Sequence, residues 1–358
     1  MVFKRGTFSS VALVALLAIL LAGCWGEPQS PPKPYVRPSA VNGGADDPAI
    51  RAIEAAGGVC FRYHELDSLL VDRDSFWMQK VEGNPIVSVD VDDCNAPNEF
   101  LKEVAKLKQI QSLCIRRTKL TDREATLISK MDSLRALRLE DTSFTNEGIS
   151  ELAKLKLMRL NFDFNKTDDR GLEIIGGIDT LQELYLNGSM ASDSGYSHLA
   201  NLSELKYLHL GNTKTKLTDV GVESLAAIGS LEEISIVNSE ITGVGFRAFN
   251  NSKVRILKLN HCKISPAGLK CLGGLGWVEE LSLFCCDITD VGLESLAEMT
   301  VLQSLNLYGN PVTITGLRKL IPSKSLRTVD VAQCKISKSE CRKFNRESGG
   351  CRAFTYDD

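Results

Sequence analysis

The chain has 358 residues, enough for two average globular domains or for one elongated array of repeats. Only 6% of the residues are aromatic although 43% are hydrophobic, which favours thin, regular layers over one large globular centre. The formal net charge is −3, with acidic and basic residues intermixed, so the composition argues against a nucleic-acid-binding protein.

Residues 1–23 have the features of an export signal. Two basic residues precede an apolar run from Val11 to Leu21, which is too short to span a hydrocarbon core of about 30 Å as a stable helix. The run ends in Leu-Ala-Gly-Cys at residues 21–24, which resembles the bacterial lipobox, whose cysteine carries the lipid. This resemblance predicts a lipoprotein of the bacterial cell envelope, anchored through Cys24 and either periplasmic or surface-exposed. An ordinary signal peptide or an uncleaved anchor helix is the alternative, and both also place the protein outside the cytoplasm.

Residues 24–47 are predicted to form a tether. Six of the eleven prolines lie between Trp25 and Pro48, and this stretch has almost no apolar pattern. Such a composition is typical of a stiff, unfolded spacer.

A Leu-x-Leu pair recurs from Val89 onward. Ten steps from Val89 to Val329 average 24 residues, inside the range of roughly 20 to 29 residues for leucine-rich repeats. The eleven pairs begin at Val89, Leu113, Leu137, Leu160, Leu184, Leu208, Ile234, Leu257, Leu281, Leu305 and Val329.

A small polar residue or a thiol follows each pair at a fixed distance. We call this set the polar column, and we expect its side chains to point inward and to bond the backbone of the neighbouring turn. Its members are Cys94, Thr118, Thr142, Asn165, Ser189, Thr213, Ser239, Cys262, Cys286, Asn310 and Cys334.

Each unit then enters a helix through a sequence such as Ile-Thr-Asp-x-Gly-Leu at residues 288–293. The hydroxyl is predicted to cap the helix, because it accepts bonds from the first free N–H groups. The predicted caps are Thr121, Thr145, Asp168, Ser192, Thr218, Thr242, Ser265, Thr289, Thr313 and Ser337.

The repeat predicts an α/β solenoid of about 11 strand-turn-helix units. Strands stack about 4.8 Å apart whereas helices need about 10 Å, so the array should bend into a horseshoe with a concave parallel sheet about 50 Å long and with helices on the convex face. The pattern resembles the cysteine-containing class of leucine-rich repeats found in F-box receptor subunits and in bacterial exported proteins, over residues 86 to about 340. The resemblance implies a concave protein-binding face. The ubiquitin-ligase role of the F-box members is rejected, because a cytosolic ligase is incompatible with an export signal.

Three segments are predicted beyond residue 47. Residues 48–84 should form an amino-terminal cap with a short helix near Ile50 and a strand beginning at Val59, because solenoid ends need covering. Residues 85–340 should hold the repeats, and residues 341–358 a carboxy-terminal cap and tail.

The cysteines are predicted to be structural. Those of the polar column should act as small buried fillers. A disulfide between Cys262 and Cys286, or a metal site that adds His261, Cys271 and Cys285, is the alternative, but the spacing matches no known ligand pattern. Outside the regular repeats, Cys341 and Cys351 are the predicted disulfide pair, since the expected compartment is oxidising.

The sequence carries no catalytic motif or phosphate-binding loop, and its four histidines lie in different segments. We therefore predict a protein that is not an enzyme and that uses no cofactor or metal. An active site assembled from scattered residues is the alternative; it would appear as acid and base groups with shifted pKa values in a closed pocket.

Side chains that flank the Leu-x-Leu pairs should lie on the concave sheet, because neighbours along a strand alternate between its two sides. Tyr and Arg predominate in binding hot spots, and they select two predicted partner-binding clusters. The first holds Arg138, Arg159, Tyr185, Tyr207 and His209, and the second holds Phe284 and Tyr308. The alternative is that these side chains merely suit a solvated strand.

The leading functional hypothesis is a membrane-tethered module that binds a protein partner. A structural envelope protein that self-associates, or a carbohydrate or peptide receptor, are the alternatives.

Overall fold

A 13-stranded sheet runs through the chain, with its strands in sequence order. The computed structural model describes residues 48–62, 78–82, 85–212 and 217–355. Strand β1 pairs antiparallel with β2, and every later pair is parallel. The strands are β1 (Val59–Arg62), β2 (Ile86–Asp92), β3 (Ser112–Arg116), β4 (Ala136–Glu140), β5 (Arg159–Asn161), β6 (Glu183–Tyr185), β7 (Tyr207–Gly211), β8 (Glu233–Val237), β9 (Ile256–Asn260), β10 (Glu280–Ser282), β11 (Ser304–Asn306), β12 (Thr328–Asp330) and β13 (Arg352–Phe354).

A short helix follows most strands and packs its apolar side on the sheet. The α-helices are α1 (Pro48–Ala55), α2 (Pro97–Val104), α3 (Asp122–Ile128), α4 (Asn146–Leu152), α5 (Asp169–Ile175), α6 (Asp193–Tyr196), α7 (Asp219–Leu225), α8 (Pro266–Gly273), α9 (Leu293–Ala297), α10 (Ile314–Arg318) and α11 (Lys338–Glu347). Two 3₁₀ helices, Ser197–Asn201 and Val244–Phe249, complete the helical layer of the described residues. The predicted alternation of strand and helix is confirmed.

The Leu-x-Leu pairs form the sheet side of the core, as predicted. Both members of each pair are buried, for example Leu113 with Ile115 and Leu305 with Leu307. One continuous cluster of buried apolar side chains extends from Ile50 to Ala353. Since each repeat buries its apolar residues only against its neighbours, the core grows by stacking rather than around one centre.

Each turn after strands β2 to β12 contains a residue in the left-handed conformation, with φ between 47° and 73°, and the turn after β10 contains a second one, Asp287. The N–H of this residue still donates to a carbonyl of the next repeat, as His261 does to Phe284 at 2.8 Å. The left-handed step therefore turns the chain without breaking the ladder of hydrogen bonds. Its eleven members are Asp93, Arg117, Asp141, Phe164, Gly188, Asn212, Asn238, His261, Cys285, Gly309 and Gln333.

The polar column lies next to these turns and points inward, as predicted. Asn310 shows its function most fully: its Nδ2 donates to the carbonyls of Leu283 (2.7 Å) and Leu307 (2.8 Å), and its Oδ1 accepts from the N–H groups of Cys286 and Ile288 (both 2.9 Å). Seven members are buried, three are half-buried, and Thr213 lies outside the described residues. The column thus satisfies backbone groups that the tight turns would otherwise leave unpaired.

Most predicted caps are confirmed, and three are corrected. Ser192 stands at the start of α6 but its hydroxyl makes no capping bond and donates to Asp169 instead. Thr218 accepts a bond from the N–H of Val220, and Ser337 forms a capping box with Glu340. Thr242 and Thr289 do not cap an α-helix, because a glycine with φ near 90° follows each of them and delays the helical segment.

The Asp that follows the cap joins neighbouring repeats. Asp219 Oδ2 accepts from the N–H (3.0 Å) and the hydroxyl (2.6 Å) of Thr242, while its Oδ1 accepts from Gly243 and Gly245. Equivalent bonds join Asp122 to Thr145, Asp169 to Ser192, Asp193 to Thr218 and Asp290 to Thr313. We call this set the Asp ladder.

The ends of the sheet add strands to the eleven predicted ones. Helix α1 and strand β1 occur as expected for the amino-terminal cap. At the other end the predicted boundary at residue 341 falls inside α11, and β13 pairs in parallel with β12. Part of the predicted cap and tail therefore continues the solenoid. No helix in the described ranges is long and apolar enough to cross a membrane.

Candidate functional site

The solvent side of the sheet, here called the sheet face, carries the side chains that were selected as a binding surface. The side chains between the two members of each Leu-x-Leu pair form one column on this face, because the strand register pairs each of them with the next. This column runs through Asp90, Cys114, Arg138, Asn161, Tyr185, His209, Ser235, Lys258, Ser282, Asn306 and Asp330.

Tyr185 lies at the centre of the first predicted cluster. Its ring stacks on His209 of β7, with 4.2 Å between centroids and 5° between planes. On the β5 side, the guanidinium carbon of Arg159 lies 5.7 Å from the centre of the same ring. Both neighbours of Tyr185 thus hold it in one orientation, and three of the five predicted residues are in mutual contact.

Glu183 ties this cluster together, and the selection of Tyr and Arg missed it. Its carboxylate accepts a bond from the Tyr185 hydroxyl and lies 3.2 Å from Nε of Arg159. Burial and the Glu183 charge raise the pKa of Tyr185. Glu183 occupies the same register position as Arg159, so the repeat itself was the signal that could have found it.

These contacts correct one expectation about the first cluster. The sequence analysis placed its side chains on the open face of the sheet, but His209 is only 8% exposed. The cross-strand stack covers the imidazole, because neighbouring strands bring Tyr185 and His209 into direct register.

Arg138 belongs to a separate polar group. Its guanidinium pairs with Glu140 at 2.8 Å and lies near Cys114 and Asp163. Burial raises the pKa of Asp163 to about 6. The bond that this carboxylate accepts from the N–H of Asn187 at 2.8 Å lowers the pKa, but by less than burial raises it. The first predicted cluster is therefore divided between two groups.

The second predicted cluster is a stack of aromatic rings, here called the aromatic ridge. Phe284 and Tyr308 are parallel, with 4.7 Å between centroids and 10° between planes. His261 extends the ridge by placing its ring edge-on to Phe284 at 5.0 Å. The sequence analysis named His261 only in the alternative metal site; in the structure it is the left-handed residue of its turn.

Tyr207, the remaining member of the first cluster, lines a pocket of about 220 Å³ at the edge of the sheet face. The pocket lies across strands β7 to β10, and Glu233, Ile256 and Glu280 are among the residues that line it. Glu233 is 1% exposed and pairs with Lys258 at 2.9 Å. Sequence reasoning missed this pocket, although its lining residues share the register position of Tyr207.

Comparison with known proteins agrees with this architecture. Residues 250–273 and 277–297 match the family model described as Leucine Rich repeat. A crystal structure of an internalin from Listeria monocytogenes is similar with a TM-score of 0.52 and 16% identity, covering 87% of this chain and 98% of that chain. The fold is a leucine-rich-repeat solenoid.

A second solved structure, of a leucine-rich-repeat protein from Leptospira interrogans, is similar with a TM-score of 0.38 and 17% identity. The match covers 75% of the chain described here and 89% of the Leptospira chain. The sequence matches none of the curated proteins.

Two large apolar side chains project from the solenoid where the sequence analysis expected only turns. Phe164 is 51% exposed and Met190 is 41% exposed, on successive repeats. Phe164 is also the left-handed residue of its repeat. Both lie just after the carboxyl ends of strands β5 and β6.

The cysteines of the polar column are buried or half-buried in the solenoid, and Cys262, Cys286 and Cys334 bond backbone carbonyls through sulfur. Cys262 Sγ lies 3.5 Å from the carbonyl oxygen of Asn260, and burial raises the pKa of this thiol to about 11. No cluster of three or more metal-ligating side chains occurs within the described ranges.

The predicted disulfide between Cys341 and Cys351 is not present. Both side chains are buried, Cys341 in the first turn of α11 and Cys351 beyond its last residue, and burial raises the pKa of the Cys351 thiol to about 11. Cys24, the predicted lipidation site, lies outside the described residues.

Proposed function

We propose that this protein is a membrane-anchored, extracytoplasmic module that binds a protein partner on its sheet face. The observation that carries the proposal is the pair of ordered aromatic arrays on that face: the stack of Tyr185 on His209 and the aromatic ridge. Rings fixed in this way lose little freedom on binding, which favours affinity.

The size of the sheet face also favours a protein partner. Twelve parallel strands at about 4.8 Å spacing extend over about 50 Å. A standard protein interface buries about 800 Å² on each side, and a face of this length accommodates one. Tyr and Arg, which occupy the first cluster, predominate in hot spots of such interfaces.

The orientation of the rings argues against the sugar-receptor alternative. Sugars stack on exposed aromatic faces, but the faces of Tyr185 are next to His209 and Arg159, and the Phe284–Tyr308 stack covers one face of each ring. The arrays therefore offer less ring face, and more ring edge and polar tip, than separate aromatic side chains would, which suits the mixed surface of a protein.

The proposal includes no catalytic step. Burial raises the pKa of Cys114, the thiol on the sheet face, to about 12. A thiol that stays protonated at neutral pH is a poor nucleophile.

The anchoring part of the proposal rests on residues 1–47. Basic residues, an apolar run and Cys24 follow one another in the order of a lipoprotein signal, and the proline-rich stretch then supplies a spacer. This arrangement would hold the solenoid away from the membrane surface.

Partner capture tests the proposal. The full chain, crosslinked in cells and purified from solubilised envelope, should retain a specific protein. The variant with Tyr207→Ala and Tyr308→Ala should lose it, with binding weakened by about 2 kcal/mol or more, as for hot-spot residues. Tyr185 is left unchanged because its hydroxyl bonds the nearly buried Glu183.

Lys270→Glu supplies the control, because Lys270 is exposed on helix α8, away from the sheet face. Capture that survives the double tyrosine change and is lost in the Lys270 variant would refute the assignment. Self-association of the purified chain at micromolar concentration, with no other protein captured, would support the structural alternative instead.

A further inference from the structure

The pocket beside Tyr207 has a chemical character that the rest of the sheet face lacks. Four of its lining residues, Tyr207, Glu233, Ile256 and Glu280, come from the successive strands β7, β8, β9 and β10. Because neighbouring strands bring these positions into register, the pocket is built by β7 to β10 and not by a flexible loop.

Among the described residues in and around the pocket, carboxylates outnumber cations. Of the cations near it, Arg255 pairs with Glu279 through two nitrogens at 2.8 and 2.7 Å, and Lys258 pairs with Glu233 at 2.9 Å. These two bases are therefore already matched by carboxylates.

Two further carboxylates complete the lining. The carboxylate of Glu232 lies 3.8 Å from Nζ of Lys206, which is the third cation near the pocket and does not line it. Glu280 is exposed and forms no ion pair with any described residue. The described part of the pocket and its rim thus holds four carboxylates and three cations. Glu280 is the carboxylate without an ion pair among them, although its charge helps to raise the pKa of Arg255.

The volume and the walls limit what fits. About 220 Å³ is below the roughly 300 to 1,000 Å³ of pockets that enclose a whole small ligand. One long side chain is a better match. The ring of Tyr207 offers a surface for a cation, and Ile256 offers an apolar contact for methylene groups.

We propose that this pocket binds the arginine side chain of the protein partner, with its guanidinium between Tyr207 and Glu280. Arginine fits better than lysine because a planar guanidinium both stacks on an aromatic ring and bonds carboxylates in a fixed geometry. The inference rests on the proposed function and specifies the chemistry of the partner.

A peptide selection tests this without knowledge of the partner. A phage library of random peptides is selected on the full chain in detergent, and the enriched peptides are synthesised. We expect a shared arginine, and replacing it with uncharged citrulline should weaken binding by about tenfold, as for the loss of one charge-assisted contact. Fluorescence polarisation measures the Kd.

Matched variants locate the contact. Glu280→Gln and Tyr207→Ala should each weaken the arginine peptide severalfold, whereas Tyr207→Phe, which keeps the ring, should retain most of the affinity. Glu298→Gln removes the same charge from an exposed position on the helical side and should change nothing. Urea unfolding of each variant checks that the fold is intact.

Two outcomes separate this inference from the proposed function. Enriched peptides without a basic residue, or citrulline peptides that bind equally well, would overturn the pocket assignment; if Phe284→Ala still abolished their binding, the sheet face would stand as a docking surface. Peptides indifferent to every sheet-face variant would overturn both.

Discussion

Gly268 offers a direct test of how closely neighbouring repeats are packed. It is the third residue of helix α8 and faces the turn of the preceding repeat. A Cβ built there would overlap the carbonyl oxygen of Thr242 and lie 2.9 Å from its carbonyl carbon and 3.0 Å from Gly243 Cα. All three atoms are backbone, so Gly268→Ala must move one repeat away from the other.

The expected cost follows from two opposing effects. Overpacking of this kind costs about 1 to 3 kcal/mol, or more when backbone must move. The displaced carbonyl of Thr242 also accepts from the N–H of Ser265 at 3.0 Å, and weakening that bond adds about 1 kcal/mol. Replacing glycine with alanine in a helix returns up to about 1 kcal/mol. We expect a net loss of about 1 to 3 kcal/mol.

Urea unfolding followed by circular dichroism measures the loss, and Gly276→Ala is the matched control. A Cβ at Gly276 meets nothing within 4 Å, so this variant should be as stable as the wild type or slightly more stable. Hydrogen exchange should localise the effect to residues 242–273. Equal stability of the two alanine variants would show that the repeats are not in the close contact described above.

Three further predictions concern the Asp ladder, the polar column and the anchor. Bonds from Ser192 lower the pKa of Asp169, so its ionised form stabilises the fold above the unfolded-state pKa of about 3.9, and this stabilisation is lost as the pH falls through the lower folded-state pKa. Asp169→Asn should therefore reduce the pH dependence of the urea unfolding midpoint below about pH 4. The same pH dependence in the variant and the wild type would contradict a stabilising role for the Asp ladder. Asn310→Ala removes side-chain bonds to four backbone groups, of which only the Leu307 carbonyl keeps other donors. It should cost about 3 kcal/mol, more than Cys262→Ala at about 1 kcal/mol. Urea titration measures both, and the reverse order would refute the bridging role of Asn310. Cys24→Ser should abolish metabolic labelling with a fatty acid, and labelling that persists would remove the lipobox interpretation.

The sequence alone predicted the order and register of the strands. A period of 24 residues and the alternation within each Leu-x-Leu pair are local properties, and repetition leaves one register in which every apolar pair is buried. The sheet-face columns, the inward polar column and most helix caps followed for the same reason. The contact between Phe284 and Tyr308 was also predictable, because adjacent repeats place them side by side.

The sequence did not reveal why a glycine follows the Asp of the ladder. Its Ile-Thr-Asp-x-Gly-Leu pattern was interpreted through the hydroxyl cap. In the structure the glycine admits the neighbouring repeat: a Cβ at Gly221 would overlap Oδ1 of Asp193 and approach Leu217 Cδ1 to 2.6 Å. The sequence also did not predict the left-handed turn residues, because residue types as different as those of Arg117, Phe164 and Cys285 adopt that conformation.

Tertiary structure decided how the predicted site is divided. The register placed Arg138 and Arg159 on neighbouring strands, but it did not say that Glu140 pairs with the first and Glu183 with the second. Nor did it show that His209 would be covered by Tyr185. A strand register fixes where each side chain begins; where its charged or aromatic end lies depends on the partners that neighbouring strands offer within reach.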